Sequence, residues 1–184
     1  MLHFPVVTDT NAYPKTPGKS WLDHARPLWR RYCYILLMAG WMGGFTFYAL
    51  IVIPSAERVL GSIRDTGFIT QQVTRWLNII GASVLVITLW LWTANWKKQP
   101  PRLRASVVGC WLIMALAQLG LFFTHPFMDA LLEAQGHKLQ HFERFENLHT
   151  LYLTFATTQW CAALLQIWLL LAIWRAQDQK PDGP

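Results

Sequence analysis

Apolar residues in this chain come in long runs that lack any helical polar face. Four stretches carry no Asp, Glu, Lys or Arg: Tyr32 to Ala56, Trp76 to Trp96, Ala105 to Met128 and Thr150 to Trp174. Each exceeds twenty residues, and roughly twenty residues at about 1.5 Å per residue cross a hydrocarbon core of about 30 Å. A helix in a water-soluble bundle would show a charged stripe at a period of 3.6, and none of the four does. The pattern therefore predicts an all-α integral membrane four-helix bundle, with spans at about 32–54, 75–96, 105–127 and 149–174 within a domain of 32–175. Residues 1–31 and 176–184 read as tails.

The first tail holds Pro5, Pro14, Pro17 and Gly18 and lacks the basic-then-apolar order of a signal peptide. Its last part, Ser20 to Arg31, reads as a short interfacial helix capped by Ser20. Between the third and fourth spans, Asp129 to Asn147 has apolar residues at helical spacing. It predicts an amphipathic helix, or two broken at Gly136, lying on the outer surface.

Composition agrees with the runs: 53% of the residues are hydrophobic, 14% are charged and eleven are Trp. The basic residues set an orientation. Lys15, Lys19, Arg26, Arg30 and Arg31 precede the first span, and Lys97, Lys98, Arg102 and Arg104 lie between the second and third. The other two connections carry fewer, with Asp129, Glu133, Glu143 and Glu146 as counterweights. Both termini are thus expected in the cytoplasm, with a bacterial inner membrane as the expected location. The net charge of +6 then anchors the chain to anionic lipid, which leaves nucleic-acid binding without a role. Cys33, Cys110 and Cys161 fall in different spans without a CxxC pair, so thiol-based zinc, redox and covalent-haem signatures are absent.

This topology brings Glu57, Arg75, Asn78, His125 and His149 to one membrane face, an expected polar cluster drawn from all four helices. Ionisable groups near a bilayer face inward and mark function, or they snorkel and cap helix ends. Three of the six histidines lie in HKLQHFERFENLH, from His137 to His149. The four-residue spacing of His137 and His141 suits a divalent metal, although no HExxH glutamate is present to act as a general base. His125 and His149, at similar depth on adjacent antiparallel helices, could serve as axial ligands of one haem. Gly40 and Gly44 form a GxxxG pattern, and Gln118 and Gln159 are expected to bond between helices, as polar residues do in membrane bundles. No charged residue lies mid-span, which argues against a proton-coupled transporter.

GWMGGFTFYALIVIP (Gly40 to Pro54), His125-Pro126 and RFENLHTLY (Arg144 to Tyr152) give the chain a pattern that resembles the small four-helix membrane proteins of the transmembrane protein 205-like family, over residues 35 to 175. That resemblance implies a multipass protein with a histidine, here His149, opening its fourth helix. The pattern is also similar to the anthrone oxygenase-like membrane family, which would imply a cofactor-independent oxygenase with His149 as its base. The leading expectation is a non-catalytic accessory or scaffold subunit with no cofactor, associating with itself or with other membrane subunits in the lipid bilayer. A haem or metal protein using His125, His149, His137 and His141, and a small oxygenase or carrier for an apolar molecule, are the alternatives.

Overall fold

Long apolar runs have no route to backbone hydrogen bonds except within themselves, and the described residues are helical apart from Gly61, Ser62 and Gln179. The computed structural model describes residues 21–93, 101–134 and 142–179, with side chains at all of these but 21–27, 63–64, 132–134 and 142. In chain order the elements are α1 (Trp21–Phe47), a π-helical stretch (Tyr48–Val52), α2 (Ile53–Leu60), α3 (Ile63–Thr93), α4 (Pro101–Ala134) and α5 (Phe142–Asp178). α1, the π stretch and α2 form one continuous rod. Four rods result, each long and apolar enough to cross a membrane.

The π stretch has a local cause. Pro54 has no N–H, and its ring crowds the carbonyl one turn back. Just before it, the Ile53 N–H bonds to Tyr48 O, five residues back instead of four. The widened turn lets the helix continue through the proline. Gly61 then ends α2 at φ +59°, its N–H on Glu57 O at 3.0 Å. This left-handed position suits a residue without a β-carbon. Ser62 starts α3, accepting the Asp65 N–H on Oγ at 3.3 Å.

Several helix boundaries differ from the sequence expectations. The third helix does not stop near 127: α4 runs through Pro126 to Ala134. A proline removes one hydrogen bond and bends a helix, and eight more residues of helical character follow. The amphipathic connection is described only at its two ends, and Gly136, the expected break, lies outside the described residues. Asp129–Ala134 extends α4, and α5 already begins at Phe142, because nothing between Glu143 and Asn147 breaks the backbone ladder into the fourth span. The expected interfacial helix likewise runs straight into the first span as part of α1, while its cap, Ser20, lies outside the described residues. α3 begins twelve residues before Arg75, so the first connection is only Gly61 and Ser62.

α4 and α5 share the most extensive interface, α3 lies on α4, and α1 and α2 lie on α3; α1 and α5 touch at few residues. The first half of α1 and the last turn of α5 meet at one end of the bundle, where Arg31 Nη1 on α1 meets the Asp178 carboxylate on α5 at 2.8 and 3.0 Å. The same guanidinium sits 5.5 Å from the ring centre of Trp174. Toward that end the core is apolar, built from Tyr34, Met38, Val84, Val107, Met114, Ala163 and Leu170. Toward the connection end a smaller cluster, Leu121, Tyr152 and Ala156, packs with Phe45, Met128 and Phe155. A polar layer lies at and around their junction.

Candidate functional site

Polar side chains inside apolar surroundings must satisfy one another, and here they do so in two tiers. The upper tier is built by His125 on α4. Its Nε2 lies 3.0 Å from Thr74 Oγ1 on α3, and its Nδ1 lies 2.9 Å from Asp129 Oδ2, one turn farther along α4. Thr74 also donates to Thr70 O at 2.7 Å, which fixes its hydroxyl against its own helix. The His125 ring faces the Tyr152 ring of α5 at 6.3 Å, so three helices meet around the imidazole.

One turn deeper lies the second tier. Tyr152 Oη donates to Asn78 Oδ1 at 3.2 Å, and Gln118 Nε2 donates to the Asn78 backbone carbonyl at 3.3 Å. Gln159 Nε2 donates to Gln118 Oε1 at 2.9 Å. Asn78, Gln118 and Gln159 are all buried, so α3, α4 and α5 are joined by side-chain amides in a low-dielectric interior. Gly81 makes the approach close enough. A β-carbon there would lie 2.7 Å from Gln118 Oε1 and 2.9 Å from Trp41 Nε1. Gly120 does the same for the Phe155 ring, whose carbons lie 2.7 and 2.8 Å from the β-carbon position.

The residues expected at this face fall into two groups. Asn78 and His125 point inward, but each pairs with other residues: Tyr152 for the first, Thr74 and Asp129 for the second. Glu57, Arg75 and His149 are exposed, and the His149 ring stacks on Phe145 at 6.1 Å. Arg75 follows Thr74 by about 100° of helical turn, which carries it off the buried stripe. His137 and His141 lie outside the described residues. Gln118 and Gln159 bond directly to each other. Gly40 and Gly44 are exposed, with open space where a β-carbon would go.

Both ring nitrogens of His125 are engaged and His149 faces outward, so a haem shared by the two would require His125 to release Thr74 or Asp129. Among the described residues no three His, Cys, Asp or Glu side chains converge as a metal site would require. A shallow groove of about 390 Å³ runs outside the bundle between α4 and α5, lined by Cys110, Ile113, Thr157, Thr158, Cys161 and Leu165. It lies away from the His125 tier.

Sequence reading alone missed Thr74, Asp129, Tyr152 and Gly81 as members of this layer. A signal for them exists in the seven-residue spacing that returns a position to the same helix face. Thr74, Gly81 and Thr88 follow it on α3, Gln118 and His125 on α4, and Tyr152, Gln159 and Gln166 on α5. No protein-family model, curated protein or solved structure matches the chain.

Proposed function

We propose that the protein is an integral membrane accessory or scaffold subunit, non-catalytic, with both termini in the cytoplasm of a bacterial cell. The observation that carries this reading is the different use of its glycines. Gly81 and Gly120 are consumed by contacts inside the chain, whereas Gly40, Gly43 and Gly44 form a saddle on the outer face of α1 with nothing within 4 Å. Leu36 and Phe47, both more than half exposed, flank the saddle. Close backbone approach at small residues is how membrane helices pack without a hydrophobic drive between them. The buried tiers, fully engaged with each other, supply rigidity to such a part.

The test is isolation from native membranes in mild detergent. A defined larger assembly is expected for the wild type, and its loss for the Gly40→Leu/Gly44→Leu variant, whose folded content stays unchanged in circular dichroism. A strictly monomeric wild type with no co-purifying protein refutes the proposal. Reporter fusions at the two termini test the orientation separately.

A further inference from the structure

Hydrogens can be counted around His125, and the count fixes a charge. Thr74 owns one hydroxyl hydrogen, and that hydrogen lies on Thr70 O at 2.7 Å, with Gln71 O on the same side at 3.2 Å. Turned away, the hydroxyl would set two oxygen lone pairs against each other at that distance. Thr74 therefore offers His125 a lone pair, and Nε2, 3.0 Å away, must donate. On the other side of the ring, Nδ1 lies 2.9 Å from Asp129 Oδ2, a separation that needs a hydrogen between the two atoms. Imidazole and carboxyl together thus hold two hydrogens, one more than a neutral imidazole beside a carboxylate, and the pair as a whole is uncharged.

Few groups act on that extra proton. α3 presents the Thr74 hydroxyl, while Arg75 beside it is exposed and rotated off the buried stripe. α5 presents the Tyr152 ring, 6.3 Å from the imidazole, and its His149, one turn nearer the connection end, is exposed and stacked on Phe145. The first rod brings Tyr48 toward Tyr152, whose hydroxyl also lies within electrostatic range of Asp129. Glu57, Arg58, Asp65, Glu143, Arg144 and Glu146, at the same end, are exposed. On α4 itself Asp129 is bound to His125, and no Lys or Arg among the described residues pairs with it. Water reaches the pair from Asp129, whose side chain is 27% exposed against 13% for His125.

We propose that His125 and Asp129 form a proton-binding site, filled in this structure and reached from water through Asp129, whose filling sets the direction of the hydrogen bond between α3 and α4. When the proton passes to water, one hydrogen remains on the pair and a lone pair is left on one ring nitrogen. That nitrogen is Nε2, because a bare Nδ1 would put its lone pair against the carboxylate oxygen at 2.9 Å. Thr74 then turns its hydrogen from Thr70 O to Nε2, so the donor across the joint changes from α4 to α3. The rods stay bonded in both forms, but the emptied site carries one net negative charge. Imidazole is the side chain whose charge ordinarily changes between about pH 5 and about pH 8. The joint therefore follows the acidity of the water at the connection end. The inference goes beyond the accessory-subunit reading and does not depend on it.

The experiment is nitrogen NMR of the full-length protein, isotopically labelled at histidine, in lipid bilayers from about pH 5 to about pH 9. The His125 signals are those lost in His125→Gln. At the acid end both ring nitrogens are expected to carry hydrogen; at the alkaline end Nδ1 keeps its hydrogen and Nε2 is bare. Asp129→Ala leaves the ring only the Thr74 oxygen to bond, so its neutral form should hold the hydrogen on Nε2 instead. Thr74→Val removes the oxygen at Nε2 and should leave the Nδ1–H form in place, since Asp129 still fixes it. Circular dichroism shows whether each variant is folded, and the wild-type spectra decide the matter where one is not. A neutral wild-type ring with its hydrogen on Nε2, a His125 that holds the same hydrogens across the whole range, or an Nδ1–H ring in folded Asp129→Ala would overturn the proposal.

Discussion

Gly81→Ala is the smallest change that probes the buried amide layer. The added methyl would sit 2.7 Å from Gln118 Oε1 and 2.9 Å from Trp41 Nε1, inside the distance that real carbon atoms tolerate. Gln118 cannot simply rotate away, because Oε1 accepts from Gln159 Nε2 at 2.9 Å while Nε2 holds the Asn78 carbonyl at 3.3 Å. Overpacking of a close-packed interior costs about 1–3 kcal/mol. A broken hydrogen bond between membrane helices adds about 0.6 kcal/mol. Against these stands the better helix propensity of alanine, about 1 kcal/mol. The net expectation is a loss of about 1–2 kcal/mol, read from reversible unfolding in mixed micelles of increasing SDS content. Gly109→Ala, made in the third turn of α4 with open space at the β-carbon, serves as the comparison and should be neutral or stabilising. Gln118→Ala removes one of the two colliding groups, so Gly81→Ala should cost less in that background, giving a coupling energy of about 0.5 kcal/mol or more. Equal stability for Gly81→Ala and Gly109→Ala would refute the close approach of Gln118 and Trp41 over Gly81.

Two further expectations follow from local geometry. Gly61→Ala places a β-carbon at φ +59°, at a cost of about 1–2 kcal/mol in the same unfolding assay, whereas Gly61→Asn should recover part of the loss. Thr74→Val keeps shape but takes the oxygen from His125 Nε2, so it should destabilise by about 1 kcal/mol; hydrogen exchange should quicken first where α3 meets α4, and uniform quickening along all rods would contradict that role.

Four rods were legible because a charge-free run of membrane length has few alternatives, and Gln118 and Gln159 were legible as polar exceptions inside such runs. Their ends were not. Charge marks where water begins, but a helix continues until a residue such as Gly61 stops it, so α3 begins well before Arg75 and α5 well before His149. The rim was hard to read for a related reason. Arg75 and His149 look informative because they are charged or titratable, yet about 100° of rotation per residue decides whether a side chain faces in or out. Thr74, next to Arg75 in sequence, faces inward and takes the hydrogen bond. The glycines divide in the same way. GxxxG on α1 lies outside, whereas the close approaches inside use single glycines whose partners, Gln118 and Phe155, sit on other helices.

The contact between Arg31 and Asp178 spans 147 positions of the chain. Arg31 is made long before α5 begins, and Asp178 is the last residue of that helix. Until α5 has been synthesised to its end, then, the first rod can lean only on α3, and the ring of helices stays open. Closure waits for the last turn of α5, and a chain cut ahead of Trp174 would keep four apolar rods yet lack this clasp.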